Sequence, residues 1–169
     1  MQESNQLTYL WGLITLIVGL LLQVIPLSAP LIYWRPQFVL LVVFFWLFRN
    51  PFQFGIGFAW FAGLLFDIVI GELFGRHAIV FGLCAYLLQL LQQRLQHFWL
   101  FHQVVLVLLL VLLSQVLLHS IPLIFRANWQ NELLVIPSFS SALFWPFLVW
   151  LLNQLMRVQQ LGRVQPSDR

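Results

Sequence analysis

Long apolar runs, broken by short segments that carry Arg, Pro, Asn or Gly, set the pattern of this chain. The first run extends from Leu7 to Leu27, and about 20 apolar residues are what a helix rising about 1.5 Å per residue needs to cross a hydrocarbon core of about 30 Å. Arg35-Pro36 follows, and Pro suits a first helical position, so a second helix is expected over 36–49. Asn50-Pro51 turns the chain into a third helix over 52–70, and the segment Gly71 to Arg76 leads to a fourth over 77–96. A fifth is expected over 99–121. A loop holding Arg126, Trp129 and Glu132 precedes a sixth over 133–156, and 159–169 read as a polar C-terminal tail. The predicted fold is an all-α integral membrane protein, a bundle of six transmembrane helices forming a single domain over 1–169.

Three runs depart from a plain spanning pattern. Leu27-Ser28-Ala29 resembles a cleavage context, but the run before it is too long for an export signal and is preceded only by Glu3, so it reads as a retained span. The apolar part of helix two, Phe38 to Phe48, reaches only about 16 Å, so either Arg35 and Arg49 snorkel or the segment crosses incompletely. Helix four ends with Gln89, Gln92, Gln93 and Gln96 on one face, a pattern that leaves the hydrocarbon for the interface.

Composition agrees with a bilayer as the solvent. Of 169 residues, 62% are hydrophobic and only 8% charged, against about 25% charge in an ordinary soluble domain. Six helices consume about 120 residues, which leaves no room for a soluble catalytic or nucleotide-binding domain. There is no Lys and the Arg residues are scattered, so a phosphate-binding stripe for nucleic acid is excluded. With both termini cytoplasmic, five Arg (49, 94, 157, 163, 169) lie inside and three (35, 76, 126) outside, which favours that orientation. A re-entrant helix two would reverse it.

Candidate chemistry is sparse. Asp67 is a carboxylate within an apolar helix, at home only against protein, water or a partner. It belongs to the series Gly55, Ala59, Gly63, Asp67 and Gly71, and small residues four apart let another helix backbone approach closely. Asp67 is either the polar end of such a contact or a residue at the membrane surface, capping the next turn or pairing with Arg76. Helix one carries a comparable stripe, Thr8, Gly12, Thr15 and Gly19, and Gln115 and His119 share a face of helix five, as an interhelical hydrogen bond or a ligand or relay site. Asp67, Glu72 and His77 are spaced by fives, which on a continuous helix scatters them, so neither a metal site nor a relay partner for Asp67 is expected there. No His-Glu-x-x-His, Gly-x-Ser-x-Gly or Gly-x-x-x-x-Gly-Lys occurs. No enzyme, cofactor or metal is expected.

The order of motifs resembles a known family. A first span ending Leu21-Leu22-Gln23-Val24-Ile25-Pro26 precedes Arg35-Pro36 and an apolar run; Gly63-Leu64-Leu65-Phe66-Asp67-Ile68 follows with Gly71 and Gly75, and Trp145-Pro146 lies in the last span. Over nearly its whole length the chain resembles the rod shape-determining membrane proteins called MreD, with Gln23, Arg35, Pro36, Gly63, Asp67, Gly71, Gly75, Trp145 and Pro146 at the matching positions. The resemblance implies a non-enzymatic inner-membrane subunit of the bacterial cell-elongation machinery that serves lateral peptidoglycan synthesis. Its implied partner is the bitopic protein MreC. Through that partner it meets actin-like MreB, a RodA-type glycosyltransferase and a class B penicillin-binding transpeptidase, with room for a homo-oligomer within the complex. It also implies an architecture similar to the membrane substrate-binding subunits of energy-coupling-factor vitamin transporters. Two functions therefore compete: a scaffold that holds partner helices, and a solute-binding uptake subunit built on Asp67, Gln115 and His119.

Overall fold

The computed structural model describes residues 2–26, 28, 34–71, 74–94, 100–124 and 135–161. Among them are six helices and no strand: α1 (Gln2–Val24), α2 (Phe38–Arg49), α3 (Ile56–Ile70), α4 (Arg76–Arg94), α5 (Leu100–Ile124) and α6 (Val135–Leu161). Three of them, α1, α5 and α6, are long and apolar enough to cross a membrane.

Helix α2 is the centre. Nine consecutive residues, Val39 to Leu47, are buried on every side, and α2 touches each of the other five helices. A helix that is apolar all round has no polar face to give to water, and this one is enclosed by protein. Around it, α1 packs on α3, α3 on α4, α4 on α5 and α5 on α6, forming a crescent. Hydrogen bonds fix the directions. Thr15 meets Trp46 and Gln23 meets Phe38, so α1 is antiparallel to α2. Gln37 meets Ser141 and Arg49 meets Asn153, so α6 is parallel to α2. The start of α1 and the end of α6 consequently lie at the same end of the bundle.

The outer surfaces invert the soluble pattern. On α1 the buried face is Gly12, Thr15, Leu16, Gly19 and Leu20, whereas Leu13, Ile14, Ile17, Val18 and Leu21 are exposed. Helices α3 to α6 likewise expose large apolar side chains, among them Trp60, Ile79, Leu109 and Phe147, and α2 exposes none. Exposed apolar area on this scale needs a non-aqueous surrounding.

Several boundaries differ from the sequence reading: the first helix runs over 2–24 rather than 7–27, the second begins at Phe38 with Pro36 two residues before it rather than at its first position, and the fifth ends at Ile124 rather than at 121. The third helix begins at Ile56 rather than Phe52, because Asn50 accepts from the amides of Gln53 (3.1 Å) and Phe54 (2.9 Å) and holds 51–54 in a turn. That turn points Phe54 into the bundle, where its ring meets Trp46 (4.7 Å between centroids), Phe58 (4.8 Å) and Tyr9 (5.6 Å). The fourth helix begins at Arg76 and is described as far as Arg94. The sixth runs on to Leu161, past the expected end at Met156, since no helix breaker intervenes before Gly162. Arg126, Trp129 and Glu132, the remainder of the polar tail and the end of the Gln-rich face at Gln96 lie outside the described residues.

Candidate functional site

The polar groups are divided among several helix contacts. The most enclosed is Asp67, on the last turn of α3 and fully buried. Gly71 ends that helix in the left-handed region (φ 75°), its amide bonded to the Asp67 carbonyl (3.0 Å), and Gly75 takes φ 92° four residues on. Both are conformations that side chains with a Cβ adopt at a cost, so these glycines let the chain reverse sharply between the two helices. The reversal brings the Asp67 carboxylate onto the start of α4. Oδ2 accepts from the amides of Gly75 (2.9 Å) and Ala78 (3.4 Å), and Oδ1 from the amide of His77 (3.1 Å). The first amides of a helix have no partner within it and carry the positive end of its dipole, so an anion is stabilised there.

His77 completes the junction. Its Nδ1 lies 2.7 Å from Asp67 Oδ1, and its ring stands edge-on to Phe66 (4.7 Å) and Phe81 (5.8 Å). A side-chain hydrogen bond thus joins the imidazole and the carboxyl group across the junction. The expectation that Asp67 has no titratable neighbour is thus overturned, because the Gly71–Gly75 reversal breaks the helical spacing that would keep the two residues apart. Arg76 is not the partner of Asp67; its guanidinium donates to the Leu118 carbonyl on α5.

Small residues make this junction possible. Gly63, one turn before Asp67, is so close to α4 that a Cβ on it would lie 2.6 Å from Ala78 Cα and from the His77 carbonyl oxygen. Ala59 is fully buried, Gly55 lies near Gln89, and Gly71 is exposed at the helix end. On α1, a Cβ on Gly12 would meet the Phe54 ring at 2.5 Å, and one on Gly19 would touch Val42 at 3.4 Å. Between them, Thr15 accepts from the buried Trp46 indole N–H (2.8 Å) and donates to the Trp11 carbonyl (2.7 Å). Thr8 lies half-buried on the same helix.

A second junction encloses the N-terminal end of α2. Arg35 donates to the carbonyls of Gln23 and Ile25 at the end of α1, while Gln23 Oε1 accepts from the Phe38 amide (3.0 Å) and Ser141 Oγ from the Gln37 amide (2.9 Å). Pro36 sits between, its carbonyl also accepting from Phe38 (3.0 Å). Sequence reasoning did not find Gln37 or Ser141, although Gln37 follows Arg35-Pro36 directly. His119 Nδ1 meets the Gln115 carbonyl (2.8 Å) within α5, and Trp145 and Pro146 lie inside α6, Trp145 fully buried. Among the described residues no group of three or more His, Cys, Asp or Glu is placed to hold a metal ion.

These junctions contain Gln23, Arg35, Pro36, Gly63, Asp67, Gly71 and Gly75. The family model described as rod shape-determining protein MreD matches residues 3–155. The chain belongs to the MreD family. It is similar to the rod shape-determining protein MreD of Haemophilus influenzae, being 24% identical over 145 residues that cover 86% of this chain and 90% of that protein. No solved structure matches. MreD proteins are membrane proteins of rod-shape determination, and in this member the recognisable motif positions sit largely where one helix end is fastened to another.

Proposed function

We propose that this MreD-family chain is a non-enzymatic scaffold of the bacterial cell-elongation machinery, crossing the inner membrane six times with both termini cytoplasmic. In this reading it binds an MreC-like bitopic protein and, through it, MreB-like, RodA-like and class B transpeptidase partners. One observation carries the reading. Asp67, Gln23 and Ser141 are turned onto backbone groups of neighbouring helices, and five helices present apolar faces outward. Side chains used in this way hold helices together. An arrangement like that of energy-coupling-factor substrate-binding subunits follows if α2, α3 and α4 count as crossings. The five-to-three Arg distribution supports cytoplasmic termini, and the placement of both chain ends at one end of the bundle agrees with an even number of crossings.

The test uses a rod-shaped host in which this chain is the only copy. Its depletion should round the cells, and the tagged full-length chain should co-purify an MreC-like protein. Rods that persist after depletion, or capture of no MreC-like protein from rod-shaped cells, would overturn the scaffold. Reporter fusions after Gln130 and at the C-terminus should report opposite sides of the membrane, and the same side for both would remove the six-crossing topology.

A further inference from the structure

At the opposite end of the bundle from Asp67, a cleft of about 170 Å³ opens between the last turns of α2, the start of α5 and the middle of α6. Its lining changes character with depth. Exposed Arg49 and half-buried Gln103 and Asn153 flank the mouth, and buried Phe45 and Trp145 form the floor, with Phe48 and Val149 between. Trp145, Val149 and Asn153 follow at four-residue steps along one face of α6, so floor and mouth are about 12 Å apart.

Among the described residues the donors of this cleft outnumber the acceptors that meet them. Arg49 gives one N–H to Asn153 Oδ1 (3.1 Å), and a guanidinium carries five. The Trp145 indole N–H, fully buried, meets no hydrogen-bond acceptor among the described residues. No carboxylate is among the lining residues. A cation and two amides without an acid select an anion, and Arg forks match phosphate oxygens. The volume corresponds to about five or six waters, well under the 300 Å³ or more of a typical small-molecule pocket, so it accepts a headgroup and not a vitamin. The surroundings select the source of that phosphate. Leu100, Phe101 and Val105, within three residues of Gln103 on α5, and Phe147, Trp150 and Leu151, between Trp145 and Asn153 on α6, are exposed, so a molecule held there by its head has its tail in an apolar phase.

We propose that this cleft binds the phosphate headgroup of an anionic phospholipid, with Arg49, Asn153 and Gln103 on the phosphate and the first methylenes of the lipid over Phe48 and Trp145. Basic pockets between membrane helices are a recurrent means of holding anionic lipid heads.

The test is native mass spectrometry of the purified full-length chain, titrated with dioleoylphosphatidylglycerol and, separately, with dioleoylphosphatidylcholine. One phosphatidylglycerol should bind about tenfold or more tightly than phosphatidylcholine, whose choline cation beside Arg49 offsets the attraction of its phosphate. Arg49→Gln should abolish the preference. Val149→Phe, which fills the cleft without altering charge, should abolish it too, and Arg157→Gln, an exposed cation on α6 outside the cleft, should keep it. An undiminished preference in Arg49→Gln would overturn the proposal, as would loss in Arg157→Gln equal to that in Arg49→Gln. Displacement of the lipid by millimolar inorganic phosphate would show an ion site and overturn the lipid assignment.

Discussion

Replacing Gly63 by Ala adds one methyl group, and the sign of its effect depends on where that methyl lands. The three nearest atoms are all backbone: Ala78 Cα and His77 O at 2.6 Å and Ala78 N at 2.7 Å. Carbon atoms in comfortable contact are about 3.5–4.0 Å apart, so α3 and α4 must separate by about 1 Å at this level. Backbone atoms at a helix start cannot turn aside as a side chain could. The separation also lengthens the bonds from Asp67 to the amides of His77 (3.1 Å) and Ala78 (3.4 Å), both already long. Overpacking costs about 1–3 kcal/mol, and weakening one carboxylate hydrogen bond adds about 1–2 kcal/mol. Against this, Ala is a better helix former than Gly by about 1 kcal/mol. The net expectation is a loss of about 1–4 kcal/mol, or a fall in Tm of about 2–16 °C at about 2–4 °C per kcal/mol for a chain of this size.

Gly57, on the same helix, supplies the comparison, since a Cβ there meets nothing within 4 Å. Gly57→Ala should leave thermal unfolding in detergent unchanged or raise it slightly. If Gly63→Ala proved as stable as Gly57→Ala, the stripe would face lipid and the packed α3–α4 junction would be wrong.

Two further substitutions probe the polar fastenings. Asp67→Asn keeps one oxygen but turns an NH2 toward amide donors that both carboxylate oxygens now serve, so it should lose about 1–3 kcal/mol in thermal unfolding, with Asp67→Leu losing more; full tolerance of Asn would mean that the carboxylate does not cap α4. Thr15→Val should orphan the buried Trp46 indole N–H at a cost of about 1–3 kcal/mol, and the same change in a Trp46→Phe background should cost far less, so equal losses in the two backgrounds would exclude the Thr15–Trp46 bond.

Much of this could be read from the sequence, for identifiable reasons. The runs that became α1, α5 and α6 were legible because a length near 20 apolar residues has few other uses. Gly63 and Gly12 stood out as members of small-residue series, although a series does not say what it packs against, and Gly12 in fact receives the Phe54 ring from a turn. Helix α2 could not be placed, because an all-apolar helix reads the same whether lipid or protein surrounds it. Asp67 and His77 were kept apart by assuming one continuous helical spacing, whereas two left-handed glycines between them reverse the chain. The bonds from Gln37 to Ser141 and from Arg49 to Asn153 each join residues 104 positions apart, and only the parallel packing of α2 and α6 reveals them.

The polar junctions follow from the length of α2. Its 12 residues span about 18 Å, well short of a hydrocarbon core of about 30 Å, so a position that brings its Arg49 end to the headgroups leaves its Phe38 end where backbone groups have no water to meet. Protein side chains satisfy backbone groups at each end. At the start, Gln23 from α1 and Ser141 from α6 accept from Phe38 and Gln37; at the finish, Gln92 from α4 donates to the Phe48 carbonyl (3.3 Å). Three outer helices therefore each supply a side chain that a full-length spanning helix would not require. The polar residues that interrupt the apolar pattern of α1, α4 and α6 are explained by what they hold, and removing Gln23 or Ser141 disturbs the centre of the bundle although each lies on its outer crescent.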